Sequence, residues 1–124
     1  VITELAPDEV FVFGSNADGM HAGGAARTAF DKFGAVWGIG EGLQGRSYAI
    51  PTMSGLEDMR GAVARFLSFA RTGAPEMRFL VTPIGTGIAG HAVEDVAPLF
   101  DGAPSNVILP PEFTTALSNI PKGN

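Results

Sequence analysis

The chain has 124 residues, the usual size of one domain, and its 45% hydrophobic and 17% charged residues suffice to fill a core and are too apolar for a disordered chain. A formal net charge of -5 argues against duplex nucleic acid, whose phosphates call for a basic face. The absence of cysteine excludes a disulfide framework, a thiolate zinc site and a cysteine nucleophile, and it suits a reducing compartment.

No run reaches the roughly 18 consecutive apolar residues of a membrane span, and Val1 to Pro7 lacks the basic start and apolar stretch of a signal peptide. The expectation is a single cytoplasmic domain over residues 1–124 with no membrane partner.

In chain order, Val10-Phe11-Val12-Phe13 reads as a buried strand closed by Gly14. A glycine-rich loop from Gly14 to Gly24 then leads into a helix over Gly24 to Phe33, with Ala26, Ala29, Phe30 and Phe33 inward and Arg27, Asp31 and Lys32 outward. Gly34 ends it. Ala35 to Arg46 carries Gly38, Gly40, Gly42 and Gly45 without a period, and reads as a long loop with room for a short strand.

A second strand, Ser47 to Ile50, stops at Pro51. The next helix has Leu56, Met59, Val63, Phe66, Leu67 and Ala70 on one face, with Ser54 and Glu57 spaced as a capping box and Gly73 at its end. Phe79 to Thr82 forms a third strand stopped by Pro83. A third helix fits Ala92 to Phe100 with Val93, Val96, Leu99 and Phe100 buried, although Pro98 weakens its later part. Asn106 to Leu109 forms a fourth strand stopped by Pro110 and Pro111, and a last helical turn starts at Pro111. Alternating strands and helices predict right-handed crossovers and an α/β fold: a three-layer α/β/α sandwich with a mixed, largely parallel sheet.

The 17 glycines are roughly double the average usage of about 7%, and many follow strand ends and precede helices. Ligands of open α/β sheets bind beyond the carboxyl ends of the strands, where free backbone N–H groups face outward and glycine lets a phosphate approach. The first candidate loop is Gly14-Ser15-Asn16-Ala17-Asp18-Gly19-Met20-His21-Ala22-Gly23-Gly24. The second is Pro83-Ile84-Gly85-Thr86-Gly87-Ile88-Ala89-Gly90-His91, whose alternate glycines suit a nest of N–H donors. Either loop taken alone also fits an ordinary strand-to-helix connection whose glycines only make turns. No Gly-Lys-Ser or Gly-Lys-Thr is present, so this is not a Walker loop. In Gly85-Thr86-Gly87-Ile88-Ala89-Gly90 the third glycine falls one residue early for the dinucleotide fingerprint.

At these loops the chain resembles the macro domains, especially the short macro-like proteins of phages and bacteria. Phe11-Val12-Phe13-Gly14-Ser15-Asn16 followed by Gly23-Gly24-Ala25-Ala26 looks like the family's strand, asparagine and glycine-rich loop, and Ile84-Gly85-Thr86-Gly87-Ile88 looks like its second phosphate loop. The resemblance covers most of the chain. It implies a small-molecule partner of the ADP-ribose type, bound with its diphosphate between the two loops and its distal ribose near Asn16 and Gly23 to Ala25. Ligand contacts are expected from Gly14, Ser15, Asn16, Gly23, Gly24, Ala25, Thr52 and the run Ile84, Gly85, Thr86, Gly87, Ile88, Ala89 and Gly90, with Asp8 and Phe113 as candidates for the adenine end.

Some relatives that release ADP-ribose use a lysine after the second strand and an aspartate in the second phosphate loop. Here Thr52 and Met53 stand at the first place and Ala89 and Gly90 at the second. A lysine adduct is therefore in doubt, while hydrolysis of an ADP-ribose conjugate through the substrate's own phosphate stays open. His21, His91 and Asn16 are the catalytic candidates. The two histidines, one per loop, either face each other across a diphosphate or are solvated loop residues. No third ligand has a spacing that would make a metal site with them, and no cofactor is expected.

Asp18, Glu41, Gln44 and Arg46 are weaker candidates, Arg27 reads as a surface residue, and Trp37 reads as core. The alternative function is a non-enzymatic phage or bacterial interaction protein that keeps the fold and binds a protein partner.

Overall fold

The computed structural model describes residues 2–120. Val10 to Phe13 forms the middle of β1 (Glu9–Ser15), and all four side chains are buried. Such a strand must be covered on both faces and flanked on both edges. β3 (Ser47–Pro51) pairs with it in parallel on one side, β4 (Arg78–Val81) on the other, and β5 (Val107–Ile108) extends the sheet in parallel beyond β4. The loop expected after residue 35 does contain a short strand, β2 (Gly42–Gln44), antiparallel to β3. The sheet is thus five-stranded, mixed and mostly parallel, in the order β2-β3-β1-β4-β5.

Val12 lies in register with Tyr48 and Val81. With Val10, Ile50 and Phe79 these side chains form one face, packed by α2 (Leu56–Ser68), by α3 (Val93–Val96) with its 3-10 continuation Ala97–Phe100, and by α4 (Pro111–Ser118). Phe11, Phe13 and Ala49 form the other face, covered by Ala26 and Ala29 of α1 (Gly24–Lys32) and by Phe33 just after it. The chain passes from β1 to β3 across one face and from β3 back to β4 across the other, as right-handed crossovers require. Among the described residues, no helix is long and apolar enough to cross a membrane.

Several local expectations need correction. Phe30 is exposed at 39%, and Trp37 is no core residue but is exposed at 48%, the two rings packing on each other at 5.5 Å. The capping box does not form: α2 starts from Gly55 (φ 94°) without a side-chain cap, and Glu57 pairs with Arg60 at 3.3 Å. Glu57 and Asp58 in the first turn supply the negative charge that a helix N-terminus favours. The expected third helix shortens because Pro98 sits where the winding tightens to 3-10. α2 in turn ends in a π-helical turn, Phe69–Gly73.

Asn106 explains how that turn is held. Its side-chain NH2 shares its two hydrogens among the carbonyls of Ala70, Ala74 and Met77 at 2.9, 3.3 and 3.0 Å, tying the end of α2 to the start of β5. Removing the amide leaves these part-buried carbonyls short of a donor, a loss of about 1–3 kcal/mol. Asn106→Ala should therefore lower the urea midpoint by that equivalent without changing the slope of the transition.

Candidate functional site

β1 and β4 are parallel neighbours, yet the helices that follow them, α1 and α3, lie on opposite faces of the sheet. The loops leaving their carboxyl ends therefore part from each other, which opens a crevice at a topological switch point. A cleft of about 660 Å³ lies there. Gly14, Ser15, Asn16, Met20 and Ala22 to Ala26 line it from the first loop, Thr52 and Met53 from the end of β3, Thr82 to Ala89 from the second loop, and Glu112 from α4.

The three loops are tied together at the sheet edge. Thr82 donates to the carbonyl of Val12 through its N–H at 3.1 Å and its hydroxyl at 2.8 Å, and the Thr52 N–H donates to Ser15 O at 2.8 Å. Beyond these anchors the second loop closes on itself, with Gly90 N–H donating to Gly87 O and His91 N–H to Gly85 O, each at 2.9 Å. Gly85 (φ +75°) has to be glycine, because a Cβ there would sit 3.0 Å from the Met59 sulfur in a conformation that other residues rarely adopt.

Two groups of backbone donors remain. α1 starts from Gly23 without a side-chain cap, and among the described residues the N–H groups of Gly24, Ala25 and Ala26 meet no protein acceptor. The same holds for Gly87, Ile88 and Ala89 in the second loop. All six residues line the cleft. Backbone N–H groups at an uncapped helix N-terminus and in a glycine-rich loop are the kinds of donor that can hold an anion.

Gly23 and Gly87 add to this. A Cβ at either would meet nothing within 4 Å, and Gly23 has an ordinary extended φ of -155°. The fold does not require glycine at these two positions, both of which line the cleft.

No family model, curated protein or solved structure matches the chain.

The expected site residues divide clearly. Gly14, Ser15, Asn16, Gly23, Gly24, Ala25 and Thr52 converge on the cleft with Ile84, Gly85, Thr86, Gly87, Ile88 and Ala89, whereas Gly90 closes the second loop outside it. Asn16 uses its amide to hold the first loop, accepting from Met20 N–H at 2.9 Å and donating to Met20 O at 3.3 Å. Ser15 is buried, its hydroxyl donating to Gly40 O. Thr52 is buried too, with its hydroxyl 3.3 Å from Ser15 O.

The histidines do not face each other across the cleft, and neither lines it. His21 is fully buried, its Nε2 2.9 Å from Val36 O and its ring edge-on to Phe13 at 5.3 Å, while its Nδ1 has no partner among the described residues. It is a peg under the first loop and not a solvated residue. Phe113 is also buried, packed on Phe100 at 5.5 Å. Asp8 precedes β1 at the amino edge of the sheet, where its carbonyl accepts from Arg78 N–H at 2.8 Å. Neither is placed to read an adenine.

The weaker candidates have structural roles. Gln44 is buried and bridges Val36 N–H and Ile39 O at 2.7 and 2.9 Å. Arg46 donates to Ala6 O, and Asp18 is exposed in a turn. Arg27 pairs with Asp31 at 3.0 Å on the surface. Glu41 accepts from Arg65 in a two-pronged contact at 2.6 and 3.0 Å, which raises the pKa of the guanidinium, and burial followed by the Glu41 carboxylate raises that of the Tyr48 phenol. Among the described residues, no group of three or more His, Asp or Glu is placed to hold a metal ion.

Met20, Met53 and Glu112 line the cleft without having been expected there. Glu112 had a readable signal, since it follows the carboxyl end of a strand just as the glycine loops do.

The two kinds of glycine separate by mutation. A Cβ at Gly40 would overlap the carbonyls of Asn16 and Ala17, where the segment after α1 presses on the first loop. Gly40→Ala should cost about 2–4 kcal/mol, against at most about 1 kcal/mol for Gly23→Ala, as read from thermal and urea unfolding.

Proposed function

We propose that this chain is a macro-like module that binds ADP-ribose or a close relative. The observation that carries the reading is that residues 24–26 and 87–89, whose two sets of backbone N–H groups meet no acceptor among the described residues, line one cleft at the carboxyl edge of the sheet. A diphosphate spanning that gap would satisfy both sets. The strand, asparagine and double-glycine pattern of the first loop and the Gly-Thr-Gly-Ile of the second supply the resemblance that names the ligand. A cleft of about 660 Å³ has the size of a small-molecule site. Hydrolysis of an ADP-ribose conjugate is the weaker part of the proposal, because Thr52, Met53 and Ala89 bring no ionisable group to the cleft.

A second reading, an interaction protein that keeps the fold without the ligand, is favoured by one observation. Val36, Trp37 and Ile39 are each at least 45% exposed within a single segment beside the first loop. Apolar surface gathered in that way is the usual mark of a protein contact.

Titration calorimetry with ADP-ribose, with AMP and NAD as comparisons, tests the first reading. Saturable, selective binding of ADP-ribose is expected. Gly87→Val should weaken it tenfold or more by filling the space between the donors, with the melting temperature nearly unchanged because nothing lies within 4 Å of the added Cβ. Affinity retained in this variant overturns the site. No binding of any of the three, together with a concentration-dependent mass in light scattering, puts the interaction reading first.

A further inference from the structure

Among the described residues, the lining of the candidate cleft includes no lysine, arginine or histidine, and Glu112, in the first turn of α4, is the only ionisable side chain in it. Among the described residues no ion pair engages that carboxylate. The arginines of α1 and α2 have their own partners, Arg27 with Asp31, Arg60 with Glu57 and Arg65 with Glu41.

The sheet order gives the cleft two unlike ends. Thr52 and Met53 follow β3, Glu112 follows β5, and the two donor loops follow β1 and β4 between them. A ligand anchored by a central diphosphate would extend one arm to the neutral end and the other to the carboxylate. Backbone N–H dipoles can stabilise the single charge on each phosphoryl group of a doubly esterified diphosphate. A further phosphate monoester brings about two more negative charges, and at the α4 end it would meet the Glu112 carboxylate and, among the described residues that line the cleft, no cation.

We propose that Glu112 is a charge filter: the cleft takes a diphosphate esterified on both sides and rejects ligands that carry an added phosphate monoester on the arm reaching α4. The inference rests on the ADP-ribose reading above and names the ligand class within it. Repulsion between a carboxylate and such a group at about 7 Å, in the screened environment of an open cleft, corresponds to roughly a tenfold loss of affinity. Salt weakens it over a Debye length of about 8 Å at physiological ionic strength.

The experiment titrates the wild type and Glu112→Gln at low and at physiological salt with ADP-ribose and two phosphorylated relatives. One relative carries the added phosphate on the 2′ oxygen of the adenosine ribose, the other on C1″ of the distal ribose. The readout is the ratio of each affinity to that for ADP-ribose in the same protein.

The expected result is that at least one relative binds the wild type about tenfold more weakly than ADP-ribose. Glu112→Gln should remove most of that ratio, and added salt should shrink it in the wild type alone. Equal binding of all three ligands by the wild type overturns the inference, as does a penalty that survives in Glu112→Gln with the same salt dependence. Failure of ADP-ribose itself to bind either folded protein overturns the ligand reading, and the inference falls with it.

Discussion

β1 has no exposed face. Val10 and Val12 belong to the core under α2, α3 and α4, while Phe11 and Phe13 belong to the core under α1, and all four are at most 3% exposed. A shift of one residue would exchange two phenylalanines for two valines in both cores at once, so the register is fixed from both sides. That register decides where Ser15 and Asn16 leave the sheet. Through the bonds from Thr82 to Val12 and from Thr52 to Ser15 it also decides where the other two loops leave. The edge of the cleft is thus a consequence of core packing, set before any loop residue contributes.

The first loop has a second support, the segment after α1. Gly38 N–H donates to Gly19 O at 2.9 Å, the Ser15 hydroxyl bonds Gly40 O, and Gly40 lies so close to the carbonyls of Asn16 and Ala17 that no side chain fits between them. His21 completes the contact. A carbonyl only accepts, so its bond to Val36 places a hydrogen on Nε2. The opposite nitrogen, buried without a partner among the described residues, is an unfavourable feature, and the rings of Phe13 and Trp37 pack edge-on against the imidazole. The same segment turns Trp37 and Ile39 toward solvent, so the buttress of the cleft and the most apolar exposed surface beside it are one piece of chain.

What could be read in the sequence follows from how local each determinant is. The strands were legible because each is a short apolar run ended by glycine or proline, and both signals lie within a few residues. The cleft was legible as a place, since glycine loops that follow strand ends must meet at one edge of a parallel sheet. Less legible was which glycines serve the fold. Gly19 and Gly40 are fixed by backbone approaching from about twenty residues away, whereas Gly23 and Gly87 face open space, and nothing adjacent in the sequence separates the two cases. His21 and Trp37 were misplaced for the same reason, because the aperiodic segment that buries one exposes the other. Ser54 and Glu57 had the spacing of a cap, but the chain enters α2 through Gly55 at φ 94°, which the spacing does not reveal.

The charge pattern constrains how the candidate cleft could hold an anion at all. The chain carries a net charge of -5, and the arginines of α1 and α2, Arg27, Arg60 and Arg65, are paired with carboxylates, so little long-range field would draw a phosphate in. Attraction would have to come from N–H dipoles, whose effect falls off within about one helical turn. Binding of that kind depends on the donors being held in position beforehand rather than on net charge. Two anchored loops braced on a doubly buried strand would meet that requirement, with Gly24 and Gly87 opening each run of donors and Ala25, Ala26, Ile88 and Ala89 continuing them.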